Sequence, residues 1–220
     1  MLVRFQKQSH AFLSGISACF VLNIFISFYN CAYATDNTQQ VQHYSGPGLQ
    51  KGVLLIAAEK LSDPNFGRTV ILITEFNKAG TVGLVLNKRT RIPIAKALPQ
   101  ILQIVPVPDY LYNGGPVIPD SVNLLVSTET PVAKANKIID NIYLVDTLDL
   151  LNKIITKNMD IRFIRLYAGF ASWAPGQLES ELIRGDWYLW HASEDIVFSK
   201  SPDTVWEELI RIVTAKWVMN

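Results

Sequence analysis

Across 220 residues the chain is 49% hydrophobic and 18% charged, enough apolar surface for a packed core and too little charge for an intrinsically disordered chain. The formal net charge is +1 and no run of Lys and Arg breaks that balance, which argues against bulk electrostatic binding of nucleic acid. Both cysteines, Cys19 and Cys31, fall in the first 34 residues, so the body that follows has no thiol for a disulfide, a nucleophile or a metal.

Arg4 and Lys7 precede an uncharged run from Ala11 to Tyr29, which is followed by Ala32-Tyr33-Ala34 and a polar stretch. A basic start, an apolar middle and a small-x-small site in that order predict an export signal over residues 1–34, cleaved after Ala34. The alternative is an uncleaved anchor, since an apolar run of about 19 residues reaches the length that spans a bilayer. Ser14, Ser17, Asn23 and Ser27 dilute that run and favour cleavage. Lipidation at Cys31 is disfavoured, because Phe28-Tyr29-Asn30 lacks the small residues a lipobox requires. Without Arg4 and Lys7 the body carries 18 bases against 19 acids.

Residues 35–50 are polar and broken by Gly46, Pro47 and Gly48, so they are expected to form a flexible tether to a single domain over 51–220. The runs at 53–58, 69–76 and 81–87 are apolar and rich in β-branched residues, as strands buried on both faces require. Asn77-Lys78-Ala79-Gly80 joins the last two as a hairpin. Lys88, Arg89 and Arg91 then read as a solvated turn. Residues 94–103 predict a short helix that Pro99 ends or kinks. An extended stretch at 109–113 runs into Gly114-Gly115-Pro116, and strands are expected at 122–127 and 138–145. Thr147 is placed to cap a helix reaching Lys157, with Leu148, Leu151, Ile154 and Ile155 on one face. A strand at 161–168 leads into a turn over Gly169 to Gln177, and Pro175 near the first turn opens a helix to about Arg184. A strand at 187–191 follows. Ser201 is expected to cap a final helix with Pro202 at its first position and Val205, Leu209, Ile210 and Val213 on its buried stripe.

His43 and His191 are the only imidazoles beyond the leader. A Ser-His-acid triad would have to join His191 to Ser172, yet a nucleophile elbow has Gly two residues before and after the serine, where this chain has Phe170 and Ala174. No catalytic residue is assigned on these grounds. Neither paired metal-ligand spacing nor a phosphate loop is present, so no metal and no cofactor are expected. Glu179 and Glu181, two apart on a helix, point in different directions and are read as charge near a helix N-terminus. Trp173, beside Gln177, is either a wedge packing that helix onto the sheet or the wall of a shallow pocket. Asn113-Gly114-Gly115-Pro116 supplies a turn with unusual backbone angles or a backbone contact for an anion or peptide. Asp63-Pro64-Asn65-Phe66 reads as a loop start with Phe66 packed inward, and Asn87 as a strand-end residue that satisfies neighbouring backbone groups. Trp187 and Leu189 share one strand face, Tyr188 and Trp190 the other, and one face is a candidate aromatic surface for a partner.

The stretch GFASWAPGQLESEL at 169–182 resembles the signature of the bacterial YqgE/AlgH family, whose members carry a similar G-[YF]-[AS]-x-W-x-x-G-Q-L-E-x-E run. Three further blocks are similar in the same order: Leu54 to Ala57 with Leu61, Asp63-Pro64-Asn65-Phe66 and Arg68-Thr69-Val70; Gly83 to Lys88; and Asn113 to Val117. The resemblance covers roughly residues 48–214. It implies an α+β fold in which a bifurcated, partly barrel-like mixed β-sheet is surrounded by helices in a single domain. It also marks a shared motif surface, read here as mostly structural: Asp63, Pro64, Phe66, Asn87, Gly114, Gly115, Pro116, Gly169, Ser172, Trp173, Gly176, Gln177 and Glu179.

The unassembled catalytic set and this resemblance together lead to the expectation of a non-enzymatic binding or regulatory protein with a protein or peptide partner. Family members are usually cytosolic, whereas the leader predicts export to the periplasm, with a membrane contacted only through that leader if it stays uncleaved. One rival is a hydrolase whose site is built from scattered carboxylates. Another is a transcriptional regulator acting in the cytosol, a label often attached to AlgH-type proteins.

Overall fold

Val53 to Ala57 and Val70 to Ile73 are buried without a break, because each of these strands has a neighbour on both edges and apolar packing on both faces. The computed structural model describes residues 47–97, 110–145, 150 and 160–218. Its strands are β1 (Val53–Ala57), β2 (Val70–Asn77), β3 (Gly80–Val85), β4 (Arg89–Pro93), β5 (Tyr110–Asn113), β6 (Val117–Thr128), β7 (Asn136–Ile139), β8 (Ile142–Val145), β9 (Ile161–Trp173) and β10 (Trp187–His191). Helices are few: α1 (Ile94–Ala97), α2 (Gln177–Ile183) and α3 (Val205–Val218), with a π-helical turn at Asp195–Ser199.

One open sheet runs in the order β10-β1-β2-β3-β9-β6-β8-β7 and is almost entirely antiparallel. It branches at β9, where Tyr112 and Asn113 of β5 pair in parallel with Tyr167 and Ala168 while Thr81 to Gly83 of β3 pair with Trp173 to Ala171. A mainly antiparallel single domain with few helices is thus what the described residues form. The barrel-like closure and the surround of helices implied by the resemblance are not features of those residues.

The largest core cluster joins β1, β2, the end of β3 and β10 to α3, whose Val205, Leu209, Ile210 and Val213 are buried as their spacing predicts. Burying a side chain of this kind fully stabilises the fold by about 1.5–3 kcal/mol. Trp206 adds a directed contact, its indole N–H donating to the Ala57 carbonyl at 2.9 Å. A second cluster, with Leu124, Val126, Val145, Ile164 and Leu166, lies on β6, β8 and β9 under Ile94 of α1.

Several elements differ from the sequence expectation, each for a tertiary reason. The stretch 169–173, expected to turn, continues β9. Gly169 takes φ 68°, which re-aims the strand from β6 toward β3. The expected strand 138–145 divides into β7 and β8, because Asp140 adopts φ 32° and the Asn141 carbonyl accepts the Thr128 N–H instead of continuing one unbroken strand. Arg89 and Arg91 lie in β4 instead of a turn, and Arg89 faces Asp203 at 3.7 Å and the Tyr110 ring. The final helix starts at Val205, three residues beyond Pro202. The N–H groups of Thr204 and Val205 donate to the Ser201 carbonyl in the preceding turn.

Near the domain's start, Pro47 is buried and Leu49 packs on the core, so the last residues of the stretch read as tether lie against the body. The helix expected at 94–103 is described only to Ala97. That expected at 147–157 falls outside the described residues apart from Leu150, as do the leader and residues 35–46. Among the described residues no helix is long and apolar enough to cross a membrane.

Candidate functional site

The end of β9, the short helix α2 and the start of β10 converge on one carboxylate. Glu181 Oε2 accepts the indole N–H of Trp173 and that of Trp187, each at 2.9 Å. Its other oxygen accepts the Gln177 amide at 3.0 Å, and Gln177 in turn accepts the Ala174 N–H at 3.1 Å. The spacing explains the arrangement: Gln177 and Glu181 are four apart and share a helix face, while Glu179 sits on the exposed face. Trp173 and Trp187 are 3% and 4% exposed, so their N–H donors have no water to fall back on. Glu181 therefore does not serve as general N-terminal charge, as its sequence position indicated. It is the acceptor that allows two tryptophans to be buried.

Phe66 closes this cluster from the other side. Its ring stacks on Trp173 with centroids 5.9 Å apart and meets Trp187 edge-on at 6.1 Å, and the two indoles cross at 6.2 Å. The loop that carries Phe66 is held by its own residues. Asp63 Oδ1 accepts the N–H groups of Asn65 and Phe66 at 2.8 and 2.9 Å, which fixes the turn that Pro64 begins. Asn87 ties the loop's exit to β3, accepting the Val70 N–H at 2.9 Å and donating to the Arg68 carbonyl at 3.0 Å. Lys88 donates to the Asn65 carbonyl at 2.5 Å. Partial burial holds the Lys88 ammonium below its ordinary pKa, with Asp63 pulling the other way.

Gly114, Gly115, Pro116 and Gly169 form a separate structural knot. The Gly114 N–H donates to the Ala168 carbonyl at 2.8 Å and the Gly115 N–H to Asn113 Oδ1 at 3.0 Å, so both amides are committed inside the fold. A Cβ on Gly114 would lie 2.4 Å from the Gly169 carbonyl oxygen, and one on Gly115 would lie 2.2 Å from the Phe170 carbonyl carbon. Backbone packs on backbone here, and an anion or peptide would find neither amide available.

Ser172 is exposed on β9 opposite Val82, whereas His191 is exposed on β10 opposite Val53. β3, β2 and β1 separate them, so no triad assembles. Gly176 caps α2 at φ 77°, a conformation glycine takes freely. Among the described residues no group of three His, Cys, Asp or Glu could hold a metal.

Beside the Glu181 cluster lies a groove of about 650 Å³. Its walls are Ala58 at the end of β1, Leu182 on α2 and Trp187 with Leu189 on β10. Glu59, Lys60 and, on α3, Thr214 supply its polar edge. Lys60 is held at that edge by donating to the Arg184 carbonyl and by Asp186, 3.9 Å away. Ile183, next in the chain to Leu182, is 88% exposed, the most exposed large apolar side chain among the described residues. Neither Glu181 nor Lys60, Leu182 and Ile183 were singled out from the sequence as site residues. The one signal that could have found Glu181 was the need of two flanking tryptophans for an acceptor.

A family model described as AlgH-like, DUF179, matches residues 54–217. The chain belongs to the AlgH-like family. Among its relatives, the UPF0301 protein of Streptomyces avermitilis is 34% identical over 166 residues, covering 73% of this chain and 84% of its own length. That of Chlorobaculum tepidum is 33% identical over 167 residues, covering 74% and 86%. A crystal structure from Corynebacterium diphtheriae superposes with a TM-score of 0.67 at 28% identity, covering 76% of this chain and 88% of the other. The solution structure of the AlgH protein from Pseudomonas aeruginosa gives 0.58 at 28% identity, covering 78% and 89%. Every residue of the Glu181 cluster falls inside the span that the AlgH-like family defines.

Proposed function

We propose that this AlgH-like chain is a non-enzymatic binding or regulatory protein, exported through its N-terminal leader, whose working surface is the groove beside the Glu181 cluster. The observation that carries this reading is the groove itself: an apolar recess with few polar groups at its edge, backed by a wall that buried hydrogen bonds keep rigid. A concave apolar surface of about 300–1,000 Å³ with sparse polar groups is the usual form of a binding site. Ile183, 88% exposed and one residue from Leu182 in the groove wall, lies where a protein partner seated in the groove would cover it.

The hydrolase reading has less support. Glu181, the carboxylate nearest the buried aromatic residues, has both oxygens engaged by N–H donors, which leaves it poorly placed to take a proton from a substrate. A cytosolic transcriptional regulator is disfavoured by the leader and by the near-neutral charge.

Two measurements test the proposal. Cell fractionation with N-terminal sequencing is expected to find a chain beginning at Thr35 outside the cytosol, and an intact chain from Met1 dissolved in the cytosol overturns the export half. A photoreactive side chain placed at Ile183 is expected to give a protein adduct that disappears when Ala58→Trp fills the groove. Equal labelling from Ile92, on β4 and 47% exposed, overturns the groove as the working surface.

A further inference from the structure

We infer that the groove takes an extended peptide segment of a protein partner, which adds to the sheet as a strand along the free edge of β10. The inference rests on the groove being a docking surface and names the kind of partner that fits it.

Trp187, Tyr188 and Leu189 all line the groove, although successive residues of a strand point to opposite faces. Both faces meet one groove only where it follows the strand's edge, so the recess runs beside the main chain of β10. The Ala58 N–H donates to the Asp186 carbonyl at 2.9 Å, and the register continues without a shift from Ala57 opposite Trp187 to Val53 opposite His191. Antiparallel pairs alternate between bonded and unbonded, so Tyr188 and Trp190 turn their main-chain groups to β1 while Trp187, Leu189 and His191 turn theirs away from it. Among the described residues β10 pairs with β1 alone, and none of them bonds the main-chain N–H or C=O of Trp187, Leu189 or His191. A donor and an acceptor at every second residue are matched by another extended backbone. A helix, whose main-chain groups bond one another, would leave them unmet.

The other edges of the sheet show what β10 lacks. β4 and β7 likewise have one strand neighbour each among the described residues. β4 carries Arg89, Arg91 and Pro93, and its register shifts between Arg89 and Pro93. β7 carries Lys137, and its register shifts between Lys137 and Ile139. Charged side chains, proline and bulges are the devices that keep a free edge from pairing with another chain. β10 reads WYLWH, with no Lys, Arg, Asp, Glu or Pro and no bulge. The charges nearby do not replace them, since Lys60 and Arg184 are both drawn to Asp186. Ala58, Leu182 and Leu189 make the wall apolar, so the added strand presents an apolar side chain to the recess.

The full chain, purified in the form the producing cell accumulates, should be used to select peptides of about nine residues from a random display library, long enough to pass both ends of a five-residue strand. Methylating the backbone nitrogens of a selected peptide one at a time is expected to weaken binding by about 10-fold or more at alternate residues and little at those between, because only every second N–H faces β10. By NMR hydrogen exchange, the Leu189 and His191 amides of the free protein should exchange fast and those of Tyr188 and Trp190 slowly, and saturating peptide should slow Leu189 by about 10-fold or more. Leu189→Pro, which removes an outward N–H and spares the bonds to β1, should abolish binding, as should Ala58→Trp, while Ile92→Arg on β4 should leave it unchanged. The methylation scan and the exchange experiment use the unaltered chain, so they decide the matter even if Leu189→Pro misfolds. Peptides that Ala58→Trp excludes but that tolerate methylation at every position overturn strand addition and leave the groove reading standing, whereas peptides that bind Ala58→Trp as tightly as wild type overturn both. If no peptide is selected the inference fails, and the Ile183 adduct described above decides the groove reading separately. A chain that sediments as a dimer with its Leu189 amide already protected also overturns it, because a second copy then occupies the edge.

Discussion

Replacing Glu181 by leucine removes the single acceptor on which two buried indoles depend, and the size of the effect follows from the geometry. Trp173 and Trp187 are 3% and 4% exposed and both donate to Oε2 at 2.9 Å, so the variant leaves two buried N–H groups without a partner. An orphaned buried donor costs about 1–3 kcal/mol. Two of them give about 2–6 kcal/mol, offset in part because the half-buried carboxylate no longer needs desolvating. The Gln177 amide is exposed and turns to water at little cost. The expected loss is about 3 kcal/mol, or roughly 6–12 °C in Tm for a domain of this size. Glu181→Gln keeps one acceptor oxygen but loses the charge assistance, so about 1 kcal/mol is expected. Denaturant unfolding followed by tryptophan fluorescence measures both, with far-UV circular dichroism as a second probe. A Glu181→Leu variant within 0.5 kcal/mol of wild type would refute the reasoning, since a buried indole donor would then have found another partner or water.

Gly115→Ala places a Cβ 2.2 Å from the Phe170 carbonyl carbon at φ 146°, so backbone strain and overpacking together should cost about 2–6 kcal/mol. At Gly176, φ 77° with nothing within 4 Å of the new Cβ, alanine should cost only about 1 kcal/mol, and equal denaturation midpoints for the two variants would contradict this account. Asn87→Ala strips the partner from the N–H of fully buried Val70 and should lose about 1–3 kcal/mol, while Asn87→Asp, which retains the acceptor, should fall between it and wild type in the same unfolding assay. Tyr167 is pushed above its ordinary pKa of 10.0, first by burial, with Arg165 opposing and Tyr112 adding to the rise. The unfolded chain ionises near the ordinary value while the fold keeps the phenol neutral. This contribution is therefore fully present below about pH 10 and declines above it by up to about 1.4 kcal/mol per pH unit. Its hydroxyl reaches no partner of good geometry among the described residues, so Tyr167→Phe should be neutral or slightly stabilising at neutral pH and should flatten the alkaline decline of the unfolding midpoint. An unchanged alkaline slope would exclude Tyr167 as its source.

Much of the ladder was legible in the chain. Val53 to Ala57, Val70 to Phe76 and Thr81 to Val85 announce strands because a strand packed on both faces selects unbroken β-branched and aliphatic runs, a pattern that local spacing preserves. The stripe of α3 was equally plain, since 3.6-residue periodicity is written in consecutive residues. Turn chemistry such as Asp63-Pro64-Asn65 is also local, and its hydrogen bonds form within the loop itself.

What folding in three dimensions alone decided concerns residues far apart in the chain. Gly169 to Trp173 is rich in small residues and reads as a turn, yet it is strand because Gly114 and Gly115 pack against it from more than fifty positions away and β3 waits to pair with it. Glu181 looks like one more helical carboxylate until Trp173 and Trp187 arrive from two different strands and need its oxygens. The groove has no sequence pattern at all, being the gap left where β1, α2, β10 and α3 meet. Periodicity and turn propensity report on neighbours along the chain, whereas hydrogen-bond debts and empty volume are settled between elements that only the fold brings together.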